Sequence, residues 1–182
     1  TDPEVGIVRV ENTAKKPIAI LFNYACHAVV LGSQNRHLTA DFPGYATRYI
    51  EAQFPGATAL FLQGAAGDLD PYIDVQNSFE PAKSQGETLG IEVVRVVRNT
   101  TNMRSLPSPI SLDWQVWKSS FRRYYNRQQK TLVQFSLLRI GDSLAFMAMP
   151  SEPFVDLQLY LKKWPVPHTY MLGYANGYAG YF

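Results

Sequence analysis

The sequence holds a single cysteine, Cys26, so no disulfide can form within the chain and cysteine usage assigns no redox compartment. It also lacks an excess of charge of either sign. A formal net charge of +2 gives no electrostatic reason to expect nucleic acid or an anionic membrane as partner. No apolar run approaches the roughly 20 residues that cross a bilayer as a helix. No signal-peptide pattern opens the chain, which begins at Thr1 without methionine and is read as a processed form or a piece of something longer. Several catalytic signatures are missing as well. There is no Gly-x-Ser-x-Gly elbow and no His-Glu-x-x-His helix, which removes the common serine-hydrolase and zincin readings. The run GAAGD at 64–68 is not a phosphate loop, because the lysine and hydroxyl residue of a Walker motif do not follow it. No internal repeat or low-complexity segment is present.

What the chain does have is the composition of one well-cored domain. It has 182 residues, 46% of them hydrophobic and 18% charged, which excludes wholesale disorder. Aromatic residues reach 13%, with eleven tyrosines. Tyr170, Tyr174, Tyr178 and Tyr181 crowd the C-terminal end. An apolar body with a polar tip suits the rim of a ligand site. It suits a sheet surface equally, and composition alone favours the surface.

The apolar pattern predicts strands over Gly6–Val10 and Pro17–Ala25, the second a continuous buried-type run. A helix is expected from near Asp41, with Pro43 in its first turn, ending at Phe54-Pro55-Gly56. A buried strand Ala59–Leu62 then runs into GAAGDLDP. A long helix follows over Pro81–Val97, with Leu89, Val93, Val96 and Val97 on one face. Asn99–Pro109 reads as a loop and Ile110–Trp117 as a strand. Leu132–Ile140 and Leu144–Met149 form a hairpin about Gly141-Asp142. A short helix after Pro153 and a last strand, Tyr170–Tyr174, complete the series. The mixture predicts an α/β protein: a mixed β-sheet with helices on its faces. Polar, glycine-rich loops follow the strand ends at Ala25, Leu62 and Met149, where α/β proteins tend to build ligand sites.

Three stretches carry candidate chemistry. His27 stands just past a buried strand, where a lone histidine is more often structural than functional. Glu152, in MPSEP, stands before a helix that it could simply favour by charge. Tyr181, in NGYAGYF, lies among glycines that let the backbone approach something closely. Together they make a plausible but unspecific hard-metal or acid–base set. Asp68 and Asp70, two residues apart, could bind a metal, act as base or cap the next element. Gly-Asp and Asp-Pro are also ordinary turn chemistry.

Four segments, in one order, resemble the neutral (non-lysosomal) ceramidases. They are NYACHAVVLGSQNRHLTADFPGYA, LFLQGAAGDLDP, MPSEPF and LGYANGYAGY, and they span about Ile18 to Phe182. The resemblance implies that His27, Glu152 and Tyr181 are zinc ligands, so that Zn2+ is the cofactor. Asp70 falls where the family has an essential serine. An ionised carboxylate can only accept a hydrogen bond where a hydroxyl can donate or attack. Ser151 replaces a family glycine. The family's first zinc histidine lies in an upstream Thr-His-Ser-Gly-type motif, which this chain lacks. The chain is therefore expected to be part of a larger catalytic domain, with residues 1–182 a partial ceramidase-like one.

The implied activity is zinc-dependent hydrolysis of the amide bond of an N-acyl lipid or another small N-acyl compound. In that scheme Asp70 orients or deprotonates the water and Tyr181 serves both as ligand and near the oxyanion. The implied partners are the N-acyl substrate, a membrane touched peripherally, and the remainder of the same enzyme or a second copy. The implied location is secreted or periplasmic. The departure at Asp70 keeps two alternatives open: a non-catalytic ligand-binding member of the same fold, and a hydrolase of another ester or amide. Three structural expectations follow. The donors of His27, Glu152 and Tyr181 should converge, Asp70 should face the same place, and an unpaired strand edge or apolar patch should remain where the missing parts would sit.

Overall fold

The computed structural model describes residues 1–99, 103–106, 108–122 and 128–181. Part of the expected Asn99–Pro109 loop, at residues 100–102 and 107, lies outside them, as does the terminal residue of the C-terminal motif. In chain order the elements are β1 (Gly6–Glu11), β2 (Pro17–Tyr24), α1 (Asp41–Gln53), β3 (Thr58–Gln63), α2 (Glu80–Arg98), β4 (Leu112–Arg122), β5 (Lys130–Ile140), β6 (Leu144–Ala148), α3 (Val155–Leu161) and β7 (His168–Leu172). The α/β class expected from the pattern holds. The strands sort into two sheets, β1-β2-β3 and β4-β5-β6-β7, where the sequence had suggested one. The described residues form two compact units: Pro3–Leu62 with Asp70–Arg104, and Thr1–Asp2 with Gln63–Leu69 and Ser105–Phe182.

The unit built on β1–β3 owes its core to the apolar run of β2. Ile20 and Phe22 are fully buried with Val30, Ala46, Ile50, Val93 and Val97. β1 pairs antiparallel with β2, from Gly6 opposite Asn23 to Val10 opposite Ala19. β2 lies between β1 and β3, and the chain passes from β2 to β3 through α1. The helices α1 and α2 pack closely because Gly86 presents no side chain to α1. A Cβ there would stand 2.3 Å from the Phe42 carbonyl oxygen and 2.6 Å from the Tyr45 Cβ. Asp41 opens α1 from the left-handed region at φ 49° and is buried. Its carboxylate accepts the N–H groups of Leu31 at 2.8 Å and Val30 at 3.3 Å, tying down the loop that follows His27.

In the other unit β5 pairs antiparallel with β4 along all eleven residues of each, and with β6 across the Gly141 turn. β4 runs on to Arg122, five residues past the predicted end. Its outer half is polar and exposed, so no burial pattern marked it in the sequence. β6 is buried throughout and pairs parallel with β7, which the chain reaches through α3. Ala65, Met147, Leu161 and Met171 form the core that joins the loop after β3 to this sheet.

Candidate functional site

Three of the four motif segments meet in the β4–β7 unit. The GAAGD turn lies along MPSEPF: the Gly67 N–H donates to the Pro153 carbonyl at 2.9 Å, and the Ala65 N–H to the Gln158 Oε1 at 2.9 Å. Glycine is required at 67. A Cβ there would stand 2.5 Å from the Glu152 carbonyl oxygen and 2.7 Å from the Phe154 ring. Asp68 caps the helix that follows Glu152, its Oδ1 accepting the Val155 N–H at 2.8 Å. Of the roles open to Asp68, capping is the one the geometry assigns.

The C-terminal tyrosine segment folds back onto the same stretch. The Tyr174 N–H donates to the Ser151 carbonyl at 2.8 Å, Ala175 N–H to Met149 at 3.0 Å, and Ala179 N–H to Pro150 at 2.6 Å. The Glu152 N–H donates to the Gly180 carbonyl at 2.9 Å, and Glu152 forms a parallel bridge with Tyr181. The segment turns sharply to do this. Tyr174 and Asn176 sit at φ 57° and 66°, with Gly177 and Gly180 at 139° and 95°. Such a conformation costs a non-glycine residue on the order of 1–3 kcal/mol.

At the centre lies the Glu152 carboxylate, only 5% exposed. Tyr174 donates its O–H to Oε2 at 2.6 Å and Tyr178 donates to Oε1 at 2.5 Å. The two phenol rings stack, 6.2 Å between centroids. Tyr174 is held well above the usual phenol range, first by burial and then by its bond to Glu152. Tyr178 is raised too, first by its bond to Glu152. Both phenols therefore remain donors at neutral pH. The Ser151 hydroxyl is fully buried beside Glu152 and has no hydrogen-bond partner among the described residues.

Of the four residues the sequence singled out, Glu152 and Tyr181 come together here. His27, half-buried past the end of β2, and Asp70, exposed after the GAAGD turn, belong to the β1–β3 unit. There the negative charge of Asp70 reaches the thiol of Cys26, the neighbour of His27 in sequence. Sequence reasoning passed over Tyr174 and Tyr178 as surface aromatics. Their spacing was visible, but the left-handed turn that aims them at one carboxylate was not.

Among the described residues no group of three or more His, Cys, Asp and Glu side chains could hold a metal ion. Within the β4–β7 unit, the Glu152 carboxylate, bridged by backbone to Tyr181, is a donor type that zinc accepts.

No known family profile matches the chain, and no curated protein matches it. Solved structures do. A ceramidase complexed with C2 is 14% identical and superposes with a TM-score of 0.78 over all of this chain. The neutral ceramidase of Pseudomonas aeruginosa is 15% identical, with a TM-score of 0.73, again over the whole chain. The chain has the fold of the neutral ceramidases. It spans 42% and 41% of the length of those two enzymes, so it corresponds in fold to part of each. Among the described residues no helix is long and apolar enough to cross a membrane.

Proposed function

We propose that residues 1–182 form part of the catalytic domain of a zinc-dependent hydrolase that cleaves the amide bond of N-acyl lipids, giving a fatty acid and an amine. The observation that supports this most is the Glu152 carboxylate. It is buried in a ceramidase fold, bridged by backbone to Tyr181 and held by two phenols. An acidic side chain needed only to favour a helix would not require that enclosure, and Asp68 already caps α3.

His27, Glu152 and Tyr181 would hold the metal. When bound, zinc lowers the pKa of a coordinated water to about 7 and polarises a carbonyl. Asp70 accepts a proton from the attacking water and returns it to the nitrogen of the departing amine. Tyr181 serves as a ligand beside the carbonyl oxygen on which negative charge develops. The hydroxyl of the water ends on the acyl carbon, so the C–N bond is replaced by C–O. The substrate's acyl chain would bring the protein into peripheral contact with a membrane, and the place of work would be outside the cytoplasm.

The test uses the complete polypeptide that carries these residues. Zinc-loaded protein should release the amine from a short-chain N-acylsphingosine, lose that activity on chelation and regain it on zinc addition. Glu152→Ala should lower both zinc content and turnover by at least about 100-fold. If zinc-loaded protein releases no amine from any N-acyl compound but cleaves an ester panel, the bond assignment falls. If it does neither, the reading as an enzyme falls.

A further inference from the structure

Within the β4–β7 unit the GAAGD turn is bonded to both stretches that carry its candidate residues. The Gly67 N–H donates to the carbonyl of Pro153, next to Glu152, and the Gln63 carbonyl accepts the Gly173 N–H at 2.9 Å, at the head of the tyrosine segment. The place of the turn is set by α3. Asp68 accepts the Val155 N–H at the start of that helix, and Gln158, about one turn on, accepts the buried Ala65 N–H on its Oε1. Gln158 is fully buried and its other end is occupied too. Its Nε2 donates to Asp2 Oδ2, and the Lys162 Nζ donates to the same oxygen. A carboxylate only accepts hydrogen bonds, so Asp2 fixes which way round the amide lies and turns its carbonyl toward Ala65. Lys162 balances the charge of Asp2, which is buried. An apolar side chain at 158 would avoid the cost of burying an amide against a carboxylate.

We propose that Gln158 is a positioning residue: oriented by Asp2 and Lys162, it sets the GAAGD turn against the Glu152 and tyrosine segments and so fixes the main chain of Glu152 for the reaction. The reaction is the one proposed above, and the proposal rests on that reading. Gln158 acts through the turn rather than on the substrate. The turn has little room to shift, because a Cβ on Gly67 would already stand 2.5 Å from the Glu152 carbonyl oxygen. A buried polar network whose members are all partnered holds one arrangement, where apolar contact would tolerate several.

The experiment compares Gln158→Glu, Gln158→Met and the exchanged pair Asp2→Asn with Gln158→Glu, with Asp2→Asn alone completing the cycle, again in the complete polypeptide. Three quantities are read: the thermal midpoint, the hydrogen-exchange rate of the Ala65 amide, and kcat and KM on a short-chain N-acylsphingosine well below the midpoint. Gln158→Glu sets two carboxylates face to face, and its kcat should fall about 10–100-fold with KM unchanged. In the exchanged pair donor and acceptor change places and the net charge facing Lys162 is kept, so most of that loss should be recovered. Gln158→Met leaves the Ala65 N–H without its acceptor and should speed its exchange and lower kcat. Should Gln158→Glu fail to fold, recovery of folding in the exchanged pair reads the same link, and Gln158→Met carries the kcat comparison. An exchanged pair no better than Gln158→Glu overturns the link. A lowered midpoint with unchanged kcat in the Glu and Met variants overturns the positioning role and leaves a structural tie. If the wild-type protein hydrolyses no N-acyl compound, the function proposed above falls and the positioning role with it, while midpoints and exchange rates still decide the link.

Discussion

Cys26 reports on Asp70, the position the sequence reading set opposite the family's serine. Its thiol is pushed up to about 11, first by burial and then by the negative charges of Asp70 and Asp41. A folded-state value above the unfolded one means that the native protein holds the thiol proton more tightly. The associated stability is fully present below the unfolded thiol range, at about 8.5, and is lost as pH rises through about 11. Alkylation of metal-stripped protein by iodoacetamide should therefore be slow at neutral pH, with its rate midpoint near pH 11. Asp70→Asn removes one of the two charges and should move that midpoint down. The Asp41 charge is a poorer lever, because its carboxylate also holds the Val30 and Leu31 N–H groups. A midpoint unmoved by Asp70→Asn would show that this carboxylate does not face the end of β2, and its proposed role beside His27 would lose its support. The residue scale is also where the sequence was least legible. Glu152 and Tyr181 could be singled out by motif. The two phenols that hold Glu152 depend on a backbone turn that no side-chain pattern encodes.

Elements were more legible, because each is set by periodicity over many residues. Pro17–Tyr24, Thr58–Gln63 and Leu144–Ala148 form strands within a residue or so of where their apolar runs predict them. α2 extends one residue beyond the predicted helix at each end. Less visible was what α2 packs against, and its glycines decide that. Gly86 and Gly90 are both buried in the helix interior, where propensity alone favours alanine by up to about 1 kcal/mol. Contact with α1 reverses the sign. The Cβ of an alanine at 86 would meet the Phe42 carbonyl at 2.3 Å, and backbone cannot rotate aside as a side chain can. Gly86→Ala should therefore destabilise by about 1–3 kcal/mol despite the better helix former, with the loss read from denaturant midpoints at constant slope. Ser84→Ala, at an exposed position on the same helix, should leave the midpoint unchanged or raise it slightly. A gain at Gly86 would mean that the two helices are not in that contact.

At the scale of the whole molecule, the order of motifs along the chain was enough to expect the ceramidase fold, although the identity to solved members is 14–15%. Fold survives at that level because strand order and buried pattern constrain far fewer positions than a sequence profile scores. The split of the strands into two sheets could not be read, since nothing in a single strand's sequence names its neighbour. The same is true of the edges. β4 is the outermost strand of its sheet and presents Leu112, Trp114 and Val116, alternate residues on one face, at 71%, 57% and 47% exposure. A long edge strand with an apolar face is a template for pairing with another chain. Residues 1–182 on their own should therefore bind a hydrophobic dye and self-associate as concentration rises. Leu112→Lys with Trp114→Lys should suppress both. These side chains stand opposite Ile140 and Leu138 on β5, so the new cations meet no like charge across the ladder. Because the replaced groups are already largely in water, little burial is lost, and the thermal midpoint should fall by less than about 1 kcal/mol equivalent. Sedimentation velocity of the wild-type and double-lysine proteins decides the matter. Equal association of the two would place the sticky surface elsewhere, and a wild-type protein that stays monomeric across the concentration range would remove the liability from β4 altogether.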